Sequence, residues 1–451
     1  MKMKTLIRGG RVMDPANRVD AALNVLIDGG RIAWVGCEEP EADRVVCAEG
    51  RIVAPGFIDM HMHEDPIGPD GKIEYSIFEN MLRMGVTTAI GGNCGINVYH
   101  PAKYLDVVDR DGAPVNVGML AGHEYFRNAA GAMDKYACAT EAQKQTMIGE
   151  IARALEDGCL GLSFGLRYVP GTDADELLRT AQCCIPQKKL IAAHVRDDAD
   201  GVFGAVDEVM QLGEACGVPV QISHIGSMGG FGQMEEVLRR VDACRMGGLD
   251  VGLDCYPYFA FSTEIGATTY DDGWLERYRC DYDVLEFCEG KYKGLRATKE
   301  RFEEMRRDDP DCITVCYVMK PDDVVRALRH PAVIVASDGI LDRGQGHPRA
   351  AGTFPRFLAE FARKGAMDLY TAVEKMTAMP ADRLHLVNKG RLNVGADADV
   401  VVFDFAKIRD QATFREPMLP PEGIDCVLVG GKMAAKDGCI LDGRCGRAVR
   451  G

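Results

Sequence analysis

The sequence predicts an α/β protein: a (β/α)8 TIM barrel with a small β-sandwich domain formed by both chain termini. Two observations lead there. Apolar strand candidates alternate with helix-period segments through the middle of the chain, and short β-type runs broken by Gly and Asp pairs recur at both ends. At 451 residues the chain is long enough for both units, each with its own core.

The amino-terminal runs are Thr5-Leu6-Ile7, Leu23-Asn24-Val25-Leu26-Ile27 and Arg31-Ile32-Ala33-Trp34-Val35, with Gly29-Gly30 as a hairpin signal between the last two. Their counterparts are Val400-Val401-Val402-Phe403 and Cys426-Val427-Leu428-Val429, the latter followed by Gly430-Gly431. This assigns residues 1–54 plus 390–451 to the sandwich and 55–389 to the barrel. Barrel strands are expected at 52–63, 87–94, 115–122, 158–165, 190–195, 219–224, 249–256 and 332–338. Eight strands alternating with helices imply a parallel sheet closed on itself. Among the helices, 140–157 opens with a Thr140–Gln143 capping box and carries a Met147, Ile151, Leu155 stripe. Segments 201–216, 234–244 and 354–364 read similarly. The stretch 259–331 is too long for one crossover and is expected to lay extra helices over the barrel mouth as a lid.

Apolar residues at 47% and charged residues at 27% fit a soluble globular protein. A net charge of −15 argues against nucleic acid or an anionic membrane as partner. No run approaches the roughly 18 apolar residues of a membrane span, and the segment Met1 to Gly10 turns polar too quickly for a signal peptide. The 17 scattered cysteines, Cys183-Cys184 included, read as reduced thiols in a cytoplasm and mostly as small core residues.

In such a barrel the chemistry sits at the carboxyl ends of the strands. Those ends carry His61 and His63, Cys94, His123, His194, His224, Asp254 with Tyr256, and Asp338, so five of the nine histidines fall there. His61 and His63 are two apart and share one strand face. Imidazoles, a thiolate and a carboxylate are donors that suit zinc, which lowers the pKa of bound water to about 7. Asp338 is then placed to take the water's proton and return it to a leaving group. His123 either shapes the site by hydrogen bonding or touches substrate, and His100, His330 and His385 read as ordinary residues.

The arrangement resembles the amidohydrolase superfamily, and within it the N-acyl-D-amino-acid deacylase (D-aminoacylase) family. The motifs are Pro55-Gly56-Phe57-Ile58-Asp59-Met60-His61-Met62-His63, Gly92-Asn93-Cys94-Gly95, Gly165-Leu166-Arg167-Tyr168-Val169-Pro170-Gly171, Ser223-His224, Asp254-Cys255-Tyr256-Pro257-Tyr258, Ser337-Asp338-Gly339 and His347-Pro348-Arg349. Relatives that cleave cyclic amides bridge two metals with a carbamylated strand-four lysine. Strand four here, 159–165, has no lysine, so Cys94 can take a ligand role instead. By the resemblance, Cys94, His194 and His224 hold a tightly bound zinc, and His61, His63 and Asp338 line a second, weaker or vacant site. Arg349 binds the substrate α-carboxylate, with Tyr256 assisting and Tyr168 on the substrate wall. One departure stands out: the family commonly has a lysine two residues after the strand-six histidine, where this chain has Gly226. The resemblance implies a zinc enzyme that hydrolyses the amide of an N-acyl-D-amino acid, a small-molecule substrate. Assembly as a homo-oligomer is compatible with it. Three rivals stay open: a hydantoinase- or dihydroorotase-like cyclic amide hydrolase, an aminohydrolase of nucleobase-like rings, and a non-enzymatic scaffold.

Overall fold

The computed structural model describes residues 3–74, 76–342 and 344–451. Its barrel strands are β1 (Phe57–Asp59), β2 (Val86–Gly91), β3 (Asn116–Gly122), β4 (Gly161–Gly165), β5 (Leu190–His194), β6 (Val220–Ile222), β7 (Val251–Cys255) and β8 (Val333–Val335). Each pairs in parallel with the next, in sequence order. The ring closes just beyond β1 and β8, where Met62 and Gly339 form a parallel bridge. There the Asp338 N–H donates to the His61 carbonyl at 2.7 Å and the His63 N–H to the Gly339 carbonyl at 2.9 Å. The seam of the barrel therefore brings His61, His63 and Asp338 together.

Alternation along the strands sorts the side chains. Ile58, Ile90, Leu120, Leu190, Ala192 and Ile334 belong to one buried cluster that fills the barrel below the strand ends. Ala89, Val117, Leu162, Ile191, Ile222, Leu253 and Val333 lie on the opposite faces and pack in the larger core with the surrounding helices. On the inward face of β5 the period of two carries Leu190 and Ala192 to His194, and on β8 it runs from Ile334 to Ala336 and Asp338.

The expected capping box is present: the Thr140 side chain accepts from the Gln143 N–H at the start of helix Glu141–Glu156. Both termini build one nine-stranded sheet, in which Ile52–Pro55 pairs antiparallel with Val400–Phe403 and so joins the two ends of the chain. Val25, Ile27, Val53, Val400, Val402 and Leu428 form its own core. The last strand, Ala448–Val449, leaves this sheet and lies parallel to β3. Segment 259–331 departs from the expectation of helices alone. It holds a three-stranded antiparallel sheet of Phe261–Glu264, Ile313–Cys316 and Leu285–Phe287, with helices Trp274–Tyr278 and Lys299–Asp308 beside it. Its strands are only three or four residues long, so the period-two signal was too brief to stand out. Among the described residues no helix is long and apolar enough to cross a membrane.

Candidate metal centre

Three strand ends deliver their donors through a sharp turn. Cys94, His224 and Asp338 all have left-handed backbone, with φ of +54°, +33° and +49°. Non-glycine residues there are uncommon and carry strain that surrounding structure must hold. The turns aim the side chains back over the barrel axis. One donor atom each from His61, Cys94, His224 and Asp338 lie within 4.8 Å of one another, and all four residues are buried.

Three of the distances between these donors suit a tetrahedral ion. Cys94 Sγ is 3.4 Å from both His61 Nε2 and His224 Nε2, and His61 Nε2 is 3.4 Å from Asp338 Oδ1. Zinc bonds of about 2.0–2.3 Å in tetrahedral array space their ligands roughly 3.3–3.6 Å apart. The tautomers agree as well. Asp254 Oδ1 faces His61 Nδ1 at 3.0 Å, and Ser227 Oγ faces His224 Nδ1 at 3.0 Å while donating to the His224 carbonyl at 2.9 Å. With Nδ1 protonated on both rings, both Nε2 lone pairs point toward Cys94 and are free for a metal.

His63 Nε2 meets Asp338 Oδ1 at 3.2 Å. The His194 ring packs 4.4 Å from that of His224 and 4.5 Å from that of Tyr168, and its Nδ1 is buried without a hydrogen-bond partner, a donor atom open to a ligand. The resemblance groups His194 with Cys94 and His224, whereas the mutually closest donors here add His61 and Asp338, which the β1–β8 seam carries inward. Electrostatics favour the anions a cation needs. Burial pushes the Cys94 thiol up, but the His61 and His224 imidazoles bring it well below its ordinary value. Burial likewise raises Asp338, and Arg349 with the imidazoles of His224, His63 and His61 hold it well below the usual carboxylate range. Burial and His224 lower His194 to about 4, leaving it neutral. For His63 burial is outweighed by Asp338 and Cys94, which raise it to about 9, so a metal there must displace a proton.

Arg349 begins helix Arg349–Arg356 and is 2% exposed, so it is not a solvated loop residue. Its Nη1 pairs with Asp338 Oδ2 at 2.9 Å, yet neither Nε nor Nη1 has hydrogen-bond geometry to a partner. Two cavities meet at Arg349, Asp338, Tyr168, Ser262 and Thr263. The inner one, about 30 Å³, reaches His194, His224 and Asp198; the outer, about 180 Å³, reaches His63, Glu124 and Glu264. Tyr256 lines neither: its ring lies 4.7 Å beneath the Arg349 guanidinium, where it orients that cation. His123 stands apart from the group, paired with Glu176 at 2.9 Å, and Glu176 also holds Arg127.

Asp254 was visible at a strand end without a role. Ser227 had no signal at all, because its reach to His224 depends on the left-handed turn between them. The structure also accounts for Gly226. A Cβ there would lie 2.8 Å from Cys255 Sγ and 3.4 Å from Met319 Cε, so a larger residue at this position requires Cys255 to shift.

A model of the amidohydrolase family matches residues 191–435. The chain is 34% identical to N-acyl-D-glutamate deacylase of Alcaligenes xylosoxydans xylosoxydans, over 95% of this chain and 93% of that protein. It is 31% identical to D-aminoacylase of the same organism, over 98% and 97%. Among solved structures it matches N-acyl-D-glutamate deacylase of Bordetella bronchiseptica, determined with zinc and a phosphonate mimic of the tetrahedral intermediate. That match has a TM-score of 0.89 and 31% identity over 100% of both chains.

Proposed function

The chain belongs to the amidohydrolase family, in its N-acyl-D-amino-acid deacylase branch, and from that premise we propose how its own residues perform the hydrolysis. The reaction is zinc-dependent cleavage of the amide of an N-acyl-D-amino acid to a carboxylate and a free D-amino acid. The observation that carries the assignment is a pair of neighbours. Four metal donors lie within 4.8 Å of one another, and beside them a buried arginine, ion-paired with Asp338, keeps its Nε without a partner. A linear N-acyl amino acid offers both an acyl carbonyl for the first and an α-carboxylate for the second.

His61, Cys94 and His224 would hold the zinc and leave a fourth position for water beside the Asp338 carboxylate, with His194 and His63 flanking them. When bound, zinc polarises the acyl carbonyl and lowers the pKa of a water to about 7. Asp338, held as a carboxylate at neutral pH, takes the attacking water's proton at Oδ and delivers it to the amide nitrogen as the C–N bond breaks. Arg349, whose Nε has no partner and whose Nη1 is ion-paired with Asp338, fixes the α-carboxylate, and the Tyr256 ring backs its guanidinium. Tyr168 forms a wall common to both cavities. The inward face of β4 presents Gly161, Ser163 and Gly165, so the bridging lysine of cyclic amide hydrolases has no counterpart. Residues 1–54 plus 390–451 serve as the supporting domain and 55–389 as the catalytic one. All seventeen cysteines are unpaired, which supports a reducing compartment, the cytoplasm.

A panel of N-acetyl, N-formyl and N-succinyl D- and L-amino acids, assayed for amine release beside dihydroorotate and hydantoins, tests the assignment. Release from the D-series is the expected result; ring opening with no deacylation overturns it.

A further inference from the structure

We infer that Ser163, on the inward face of β4, is a positioning residue for the Cys94 thiolate, an inference that rests on the metal role proposed for Cys94. Its single hydroxyl spans both flanks of that cysteine. Ser163 Oγ accepts the Gly95 N–H at 3.0 Å and donates to the Gly92 carbonyl. The side chain is fully buried, and among the described residues no other hydroxyl joins the two sides of the turn in this way.

From the opposite side the loop is held by Glu64, the residue after His63. Its Oε2 accepts the Gly92 N–H at 2.7 Å, and its Oε1 accepts the Val98 N–H and the Asn97 side-chain amide, both at 3.2 Å. Gly92 is therefore gripped through its N–H by Glu64, in the segment after β1, and through its carbonyl by β4. Between these anchors Cys94 is kept at φ +54°, a conformation a free chain avoids. That conformation aims Sγ at His61 and His224 rather than into the wall.

The loop is inlaid against strand backbone. A Cβ on Gly165 would lie 2.1 Å from the Cys94 carbonyl oxygen, and one on Gly95 would lie 2.7 Å from the Gly165 nitrogen. The thiolate loop thus fills the space that a long strand-four side chain would need in order to reach the metal. Serine is what that space admits, and its hydroxyl fixes the ligand in place of supplying one.

The test uses metal binding rather than turnover, so that failure of this inference and failure of the deacylase assignment can be told apart. Full-length wild type and Ser163→Ala are compared by competition with a zinc chelator and by the thiolate-to-metal absorption of the Co2+-loaded protein. Thermal unfolding of both metal-free proteins completes the comparison. Loss of a partner that orients a ligand weakens metal binding by about 10–100-fold. We expect that loss, a diminished and shifted thiolate band, and a metal-free melting transition lowered only modestly, as the Gly95 N–H and Gly92 carbonyl lose their partner. Zinc affinity within about twofold of wild type with an unchanged band overturns the inference. So does an unchanged band accompanied by a large drop in metal-free melting temperature, since Ser163 would then be structural only. Should Ser163→Ala fail to fold, Glu64→Gln is measured in the same way: weakened zinc binding with an altered band supports the clamp, and wild-type affinity and band refute it.

Discussion

Asp254→Asn isolates the orientation of a metal ligand from its identity. Asp254 is 1% exposed. Its Oδ1 faces His61 Nδ1 at 3.0 Å and accepts the His224 N–H at 2.7 Å, and its Oδ2 accepts Gln221 Nε2 at 3.2 Å. An asparagine can satisfy only one side. With its oxygen toward the histidines, its NH2 meets the Gln221 NH2 and two buried donors are left facing each other. With its NH2 toward the histidines, His61 Nδ1 must accept, the ring proton moves to Nε2, and the metal-facing lone pair is lost. A buried donor left without a partner costs about 1–3 kcal/mol, and loss of an orienting partner weakens metal binding about 10–100-fold, or about 1.4–2.8 kcal/mol. Both routes lead to the same range. Chelator competition on the zinc-loaded variant reads it directly, with circular dichroism to confirm the fold. A zinc dissociation constant equal to wild type would show that Asp254 does not govern the His61 tautomer.

Other expectations follow from the same geometry. Asp338→Asn keeps an oxygen near the metal but cannot carry a proton, so kcat should fall by about 10²–10⁴ with zinc retained; zinc loss as severe as in Cys94→Ala would make Asp338 chiefly a ligand. Arg349→Ala should raise KM for carboxylate-bearing substrates. Because Arg349 is the principal charge lowering Asp338, its removal raises that pKa, and the activity lost as Asp338 protonates on acidification should be lost at higher pH than in wild type. An unmoved acid limb would separate Arg349 from Asp338. Gly226→Ala should cost about 1–3 kcal/mol in urea unfolding through contact with Cys255 Sγ, and Cys255→Ala should recover part of it; strictly additive losses would show that the two positions do not meet.

Most of the barrel was legible because its strands are continuous apolar runs ended by chemically distinctive residues, from Met60-His61 to Ser337-Asp338. The donors could be named because a strand end points its last side chain at the axis. Their grouping could not, since the β1–β8 seam that unites His61 with Asp338 is a long-range bridge without local signature. Ser227, Ser163 and Glu64 were silent for a related reason: each acts through a turn whose left-handed residue, His224 or Cys94, looks ordinary in sequence. Arg349 was readable as a carboxylate partner by resemblance, but its burial beneath the short-stranded sheet of 261–316 was not. The terminal hairpins declared themselves through Gly29-Gly30 and Gly430-Gly431, whereas the return of Ala448–Val449 to β3 is too short to announce itself.

The chemistry proposed here turns on the Cys94 sulfur being bonded to the metal that cleaves the amide. Zinc-edge X-ray absorption on active wild-type protein carrying one zinc per chain measures that bond. One sulfur at about 2.3 Å, with nitrogen and oxygen ligands at about 2.0–2.2 Å, is the predicted shell. A shell of nitrogen and oxygen alone, in protein that still turns over, would contradict it.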